Sequence, residues 1–80
     1  MTSDDIKKLI EKAMPNSAVT VSGDGSKFET TIVSTKFAGM KTIDRHRLVY
    51  GVLADHISTG EIHALTIKAF TPEEADTETK

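Results

Sequence analysis

The sequence predicts a single two-layer α+β domain, in which a three-stranded mixed sheet is covered by helices on one face. Its 80 residues supply enough apolar side chains for one core and not for two. Two segments show the apolar period of a helix and three favour strands, in the order α-β-β-α-β. Amphipathic helices need one sheet face to cover, so two layers are the simplest architecture. A short C-terminal helix completes the predicted fold.

The first helix is predicted over residues 3–14. Thr2 or Ser3 can cap its start, because a side-chain hydroxyl accepts from the unpaired N–H groups of a first turn. Pro15 ends the helix, since proline has no N–H to donate and disfavours helix in the preceding residue. The apolar side chains recur at helical spacing: Ile6, Leu9, Ile10, Ala13 and Met14.

A β-hairpin is predicted to follow. Residues 18–21 and 28–34 are rich in β-branched side chains, which favour strands. Residues 22–26, Ser-Gly-Asp-Gly-Ser, have turn chemistry because both glycines permit positive φ. No helix follows this turn to direct its amides at a phosphate, so the glycines indicate a hairpin turn and not a nucleotide loop.

The second helix is predicted from Thr42 to the Ser58-Thr59-Gly60 segment, after a connector over residues 36–40 that carries one tight turn. Glycine is the usual residue where a helix stops, which places the end at Gly60. The predicted apolar stripe consists of Ile43, His46, Val49, Tyr50, Leu53 and Ile57.

The third strand is predicted over residues 62–70, and Thr71 to Glu74 resembles the capped first turn of a short helix with Pro72 at its first position. Residues 1–76 are assigned to the domain and 77–80 to a flexible polar tail. One face of the third strand is predicted to carry His63, Leu65, Ile67 and Ala69. The predicted core comprises Leu9, Ile10, Tyr50, Leu53, Leu65 and Ile67.

The charge distribution restricts the classes of partner. The net charge of −2 argues against broad, non-specific binding to nucleic acid. Four basic residues nevertheless fall within twelve positions, either as a solvated edge or as a docking surface for an acidic partner. They are Lys36, Lys41, Arg45 and Arg47. With no apolar run long enough to cross a bilayer and no secretory signal, the sequence indicates a cytoplasmic protein without membrane contact.

The three histidines are the best candidates for ligands or bases near neutral pH. His46 falls on the predicted apolar stripe, which favours a packed role, whereas His56 lies off it and is interpreted as a surface residue. His63 opens the third strand just after Gly60, where a side chain can be ordered yet reachable. Spacing alone leaves both a structural role and a ligand role open for it.

No enzymatic constellation is recognisable. The chain has no cysteine, hence no disulfide and no thiolate nucleophile. Ser22 and Ser26 have no histidine or acid at a recognisable spacing. The element order invites comparison with RNA-binding KH domains, but their clamp needs Gly-x-x-Gly, and the connector over 36–41 has one glycine. The sequence therefore predicts a non-enzymatic protein.

Four segments together resemble the BolA-like protein family in order and spacing. The resemblance extends over nearly the whole chain, and the glycine turn followed by Phe28 is similar to the IbaG-type bacterial branch. The segments are Phe37-Ala38-Gly39, Arg45-His46-Arg47-Leu48-Val49-Tyr50, Ile62-His63-Ala64-Leu65 and Thr71-Pro72-Glu73-Glu74. The resemblance implies an α-β-β-α-β fold similar to class II KH domains.

The resemblance also implies a partner and a cargo. BolA-like proteins form heterodimers with monothiol glutaredoxins that share a two-iron, two-sulfur cluster, with thiolates from the glutaredoxin and from glutathione. The histidine of the Ile-His-Ala-Leu motif, here His63, would be the metal ligand, and imidazole is a competent iron ligand. No cofactor is then expected in the isolated protein, which would be a monomer or a weak homodimer.

One position departs from the family pattern. Many relatives carry a histidine just before the hairpin phenylalanine, where this chain has Lys27, a poor ligand because its amine is normally protonated. Asp24 is a weaker candidate for a second metal ligand. The rival function implied by the family is a DNA-binding regulator of stress or morphology genes, in which the basic residues around the second helix contact phosphates.

Overall fold

The computed structural model describes residues 2–24 and 27–78 of the chain. Three helices and three strands follow one another in the predicted order, with a short 3₁₀ helix at Thr35–Phe37 before the second long helix. The elements are α1 (Ser3–Ala13), β1 (Ala18–Asp24), β2 (Lys27–Val33), α2 (Thr42–Ser58), β3 (Ala64–Phe70) and α3 (Pro72–Glu78). The predicted α+β class is confirmed.

The sheet is mixed, as predicted. Its strand order is β1-β2-β3, with β1 antiparallel and β3 parallel to the central strand. A parallel neighbour needs a crossover, and α2 provides it on the way from β2 to β3. Strand β3 is therefore an edge strand, and its first residue Ala64 is the register partner of Lys27 at the start of β2.

One apolar core lies between the sheet and the two long helices. Buried and exposed residues alternate along β2, because successive side chains point to opposite faces. Both helices therefore cover the same face. The buried apolar residues are Ile6, Ile10, Met14, Val19, Phe28, Ile32, Phe37, Val49, Leu53, Ile62 and Ile67. Of the predicted core, Ile10, Leu53 and Ile67 are buried, and Leu9 and Leu65 pack half-buried against the cluster.

The hairpin is longer than the sequence predicts. The antiparallel ladder continues to the Asp24–Lys27 pair, so Ser22, Gly23 and Asp24 belong to β1 and not to the turn. Gly23 is opposite Phe28, and a Cβ on it would overlap the Lys27 carbonyl oxygen and approach the Phe28 ring to 2.7 Å. The glycine that suggests a turn is required here by close packing within the strand pair.

The two helix caps predicted from the sequence, at the starts of α1 and α3, are both formed as capping boxes. The Thr2 hydroxyl accepts from the Asp5 N–H, and the Asp5 carboxylate accepts from the Thr2 N–H. At α3, the Thr71 hydroxyl accepts from the Glu74 N–H at 3.2 Å, and Glu74 Oε1 accepts from the Thr71 N–H at 2.8 Å. Helix α3 continues to Glu78, two residues into the segment assigned to the tail, and residues 79–80 lie outside the described part.

The predicted stripe of α2 is partly confirmed and partly wrong. Val49 and Leu53 are buried and His46 and Ile57 are half-buried, but the buried side of the helix is rotated from the predicted one. Tyr50, assigned to the core, is 42% exposed and Ile43 is 56% exposed, whereas Arg45 is buried at 8%. The buried stripe is Arg45, Val49 and Leu53. Its spacing of four residues is helical, but its first member is a charged side chain, which an apolar pattern cannot include. The helix is therefore turned so that Ile43 and Tyr50 lie outside the core.

Candidate functional site

His63 is exposed at the point where β3 begins. It directly precedes Ala64, whose register partner on the neighbouring strand is Lys27. The parallel crossover therefore brings His63 to the same end of the sheet as the β1–β2 hairpin, although nearly forty residues separate them in the chain. This end of the sheet, with His63, Lys27 and the last residues of β1, is named the hairpin end below.

The backbone on either side of His63 is fixed. On one side, Ile62 is 2% exposed and donates its N–H to the His56 carbonyl oxygen at 3.1 Å. On the other side, Ala64 enters the sheet. Gly60, at φ 84, donates to the Ile57 carbonyl oxygen and closes α2, as predicted from the sequence. The exposed imidazole of His63 is therefore reachable from solvent and is attached to an anchored backbone.

His56 is engaged in a pair of its own. Its Nδ1 lies 3.2 Å from Glu61 Oε1, and the Thr59 hydroxyl donates to the same oxygen at 3.0 Å. The hydrogen bond from Thr59, followed by the one from His56, lowers the pKa of the Glu61 carboxyl below its ordinary value. This pair braces the turn between α2 and β3 that leads to His63.

The described residues contain no ready-made multi-ligand metal site. Across residues 2–24 and 27–78, no group of three His, Asp or Glu side chains is placed to hold a metal ion. At the hairpin end, His63 offers an imidazole nitrogen, while Lys27 offers an amine that is normally protonated. The side chain of Asp24, the second candidate ligand, lies outside the described part. The hairpin end thus fits one ligand position of a metal centre.

Arg45 is placed differently from the other basic candidates. Its guanidinium donates to the Met40 carbonyl oxygen at 3.0 Å, to the Ala69 carbonyl oxygen at 3.1 Å and to both carboxylate oxygens of Glu74 at 2.6 and 3.3 Å. It also lies 5.8 Å from the ring centroid of Phe37. These bonds join the connector, β3 and α3, so Arg45 is engaged within the fold and does not point to a partner.

Glu74 has a second role that the sequence does not indicate, as the counter-ion of Arg45. The Arg45 guanidinium, followed by the Thr71 N–H, lowers the pKa of the Glu74 carboxyl to about 2. The capping-box spacing of Thr71 and Glu74 is visible in the sequence, but the ion pair joins residues 29 positions apart. Only a sign that Arg45 is buried could have revealed the pair, because a buried guanidinium needs a counter-ion.

The remaining basic residues form an exposed group around the start of α2. Lys36 lies in the 3₁₀ helix, Lys41 is the N-cap residue of α2 and Arg47 is on its exposed side. None of the three forms an ion pair with another residue in the described ranges. His46, on the same helix, is half-buried. Three of the four predicted basic residues are therefore exposed and form no ion pair within the described ranges.

No helix within the described ranges is both long and apolar enough to span a bilayer.

Comparison with known proteins agrees with the fold. The family model described as BolA-like protein matches residues 7–74, which include His63. The acid stress protein IbaG of Escherichia coli is 39% identical over 74 residues, covering 92% of this chain and 88% of that protein. The DNA-binding transcriptional regulator BolA of Vibrio cholerae is 46% identical over 52 residues, covering 65% of this chain and 48% of the regulator.

A solved structure shares the whole architecture. The bolA protein homologue from Coxiella burnetii is similar with a TM-score of 0.84 and 40% sequence identity, covering 95% of this chain and 97% of that one. A similarity of this extent includes both long helices, the mixed sheet and the segment that carries His63.

Proposed function

Because the chain belongs to the BolA-like protein family, we propose that it is a non-enzymatic adaptor in iron–sulfur cluster assembly, trafficking or iron sensing. In this role it docks a monothiol glutaredoxin and shares a two-iron, two-sulfur cluster that is cargo for both proteins. The observation that carries the proposal is the exposed His63 on an anchored backbone at the hairpin end.

The chemistry of the hairpin end supports a single-ligand contribution. His63 supplies one imidazole, and Lys27 supplies no second ligand while its amine is protonated. The chain has no cysteine, so the thiolates of a shared cluster come from the glutaredoxin and from glutathione. An adaptor that brings only one neutral ligand can release its cargo more readily than a protein with a complete ligand set.

Docking is assigned to the exposed basic group formed by Lys36, Lys41 and Arg47. Three unpaired cations around the start of α2 suit a partner with an acidic surface. Arg45 is not part of this contact, because its guanidinium already pairs with Glu74 at 2.6 Å. Its part in docking is indirect, since it holds the connector that carries Lys36 and Lys41.

The ligand role of His63 is tested by reconstitution. The protein is mixed with a monothiol glutaredoxin, glutathione, iron and sulfide, and the visible circular dichroism is compared with that of the glutaredoxin alone. We expect a distinct heterodimer spectrum and a raised reduction potential, because a neutral imidazole replaces a thiolate. His63→Ala should remove both differences while docking of the cluster-free proteins persists. A wild-type spectrum and potential from His63→Ala would refute the assignment.

Two variants complete the design. His46→Gln changes a histidine of α2 away from the hairpin end and should leave the heterodimer spectrum unchanged. Lys27→His restores a ligand at the position where the family carries one, and should lengthen the lifetime of the shared cluster. An unchanged lifetime would show that position 27 is not a ligand site in this chain.

The second candidate function is a DNA-binding regulator. It is favoured by the name of the Vibrio cholerae relative and by the exposed cations Lys36, Lys41 and Arg47, which can contact phosphates. The net charge of −2 and the internal pairing of Arg45 weaken it. A DNA shift titration at several salt concentrations tests it, because phosphate contacts release counter-ions and give a steep salt dependence. A flat response would exclude this function.

A further inference from the structure

The outer edge of β3 has main-chain groups that point away from the sheet. In the parallel pairing with β2, alternate residues of β3 direct both N–H and C=O at the neighbouring strand. Phe70 is one of these, because its carbonyl oxygen accepts from the Ser34 N–H at 2.9 Å. The residues out of phase with it, Leu65, Ile67 and Ala69, therefore direct their main-chain groups outward from the edge.

Only part of this edge is covered. The Ala69 carbonyl oxygen accepts from Arg45 at 3.1 Å, and the Leu65 carbonyl oxygen accepts a long hydrogen bond of 3.4 Å from the Tyr50 hydroxyl. Between them, the N–H and C=O of Ile67 have no partner among the residues that the structure describes. An edge strand with unpaired groups is a template for another strand unless it is blocked.

An apolar flank of α2 lies beside this edge. The bond from Tyr50 to Leu65 places Tyr50 next to β3, and Ile43 and Arg47 are seven and three residues before it, on the same side of the helix. Ile43 and Tyr50 are the two large apolar side chains that are clearly exposed in the described part. They are separated by about 10 Å along the helix, somewhat less than the roughly 13 Å from Leu65 to Ala69.

The charge on this flank is positive. Arg47 is exposed between Ile43 and Tyr50 and forms no ion pair within the described ranges. The acidic residues of α2, Asp44 and Asp55, lie six residues before and five after Tyr50, which puts them on another side of the helix. A ligand that lies between β3 and the flank therefore meets unpaired peptide groups, two apolar side chains and one unpaired cation.

We propose that the outer edge of β3 and the Ile43–Arg47–Tyr50 flank of α2 form a binding site for an extended segment of a protein partner that alternates apolar and acidic residues. The segment adds to the sheet as a fourth strand and exchanges main-chain hydrogen bonds with Leu65 and Ile67. The Tyr50 hydroxyl releases its long bond to Leu65, and its ring becomes a wall of the site. The inference holds whether or not the partner is a glutaredoxin.

Amide hydrogen exchange measured by NMR tests the site with a defined probe. The probe is a blocked peptide of about seven residues that alternates valine and glutamate. Without peptide, the amides of Leu65 and Ile67 should exchange faster than those of Thr66 and Lys68, which face β2. At saturating peptide, exchange at Leu65 and Ile67 should slow by about tenfold or more. The amides of Thr66 and Lys68 should change little.

Matched probes and variants separate strand addition from adhesion. A peptide with proline at its centre should give no protection, because proline cannot donate to a ladder. Arg47→Glu should weaken the binding of the valine–glutamate peptide and strengthen the binding of a valine–lysine peptide. The charge reversal Lys12→Glu on α1 should change the binding of neither. Tyr50→Ala should weaken the binding of the valine–glutamate peptide, because it removes the ring that lines the site.

Three outcomes overturn the proposal. They are no protection at Ile67, equal protection by the proline peptide, and stronger protection of the same amides by single-stranded DNA than by the peptide. The last outcome would identify a nucleic-acid surface.

Discussion

Arg45 is the residue on which three segments of the fold depend. Its guanidinium bonds to the connector at Met40, to β3 at Ala69 and to α3 at Glu74. A charge at 8% exposure is costly unless it is paired and hydrogen-bonded, and here the four bonds reach three different parts of the chain. The ion pair therefore holds a helix of only seven residues onto the domain.

Glu74→Gln tests the charge in this pair, since glutamine keeps the size and the capping ability of glutamate. Folding lowers the pKa of Glu74 from 4.5 to about 2, so the pair stabilises the fold above about pH 4.5 and is lost as the pH falls towards 2. The variant should melt at a lower temperature than wild type at pH 7. The difference should shrink below pH 4.5, as measured by thermal melts across pH. A difference independent of pH would show that the carboxylate charge is not its cause.

The two histidines His46 and His63 should differ in their effect on stability. His46 is half-buried on α2, whereas His63 is exposed, and exposed substitutions usually change stability by less than about 0.5 kcal/mol. His46→Ala should lower the melting temperature, and His63→Ala should leave it nearly unchanged. Equal shifts from the two variants would contradict the assignment of a packed role to one and a ligand role to the other.

At the scale of elements, the β1–β2 hairpin depends on one close approach. Gly23 faces Phe28 across the ladder with φ at 152, a value that favours glycine, and there is no room for a Cβ. The pair fixes the register near Lys27, and thus the position of the strand end beside His63. The geometry of the candidate site therefore depends partly on Gly23, which has no side chain to act as a ligand.

Gly23→Ala should destabilise the protein by more than about 1 kcal/mol, because the added methyl group overlaps the Lys27 carbonyl oxygen. Urea unfolding measures the change. Gly51 provides the matched control, since it lies inside α2 with open space around the position of a Cβ. Gly51→Ala should stabilise by about 0.5–1 kcal/mol. Destabilisation by both variants would show that the hairpin contact is not the cause.

For the whole molecule, stability depends on a small core shared by all layers. In a domain of 80 residues, the buried side chains of two helices and three strands form one cluster. Such domains have a limited free energy of unfolding, so the loss of one central side chain is a large fraction of it.

Leu53→Ala should lower the free energy of unfolding by about 2–5 kcal/mol, since Leu53 is fully buried on the core-facing side of α2. Denaturant unfolding monitored by far-UV circular dichroism measures the loss. Ile43→Ala on the same helix is the control and should change stability by less than about 0.5 kcal/mol, because Ile43 is 56% exposed. A small effect of Leu53→Ala would mean that the core is not centred on this residue.

Several local features were predictable because their causes are close in sequence. The capping boxes at Thr2 and Thr71 act over three residues, and the stop at Gly60 depends on a single backbone angle. The apolar period identified α1, and β-branched content identified the strands. These signals determine which elements form, and with the chain length they determine the fold class. The motif that includes His63 also pointed to the family that the comparisons show.

The tertiary structure alone decided how those elements face one another. The rotation of α2 followed from the burial of Arg45, whose partner Glu74 is 29 residues away, so no local pattern contains it. The same rotation exposed both Tyr50, beside β3, and Arg47. The sequence determined the elements, the class and the family, because those depend on short-range preferences. The roles of Arg45, Tyr50 and the edge of β3 depend on contacts between distant segments, which exist only once the chain has packed.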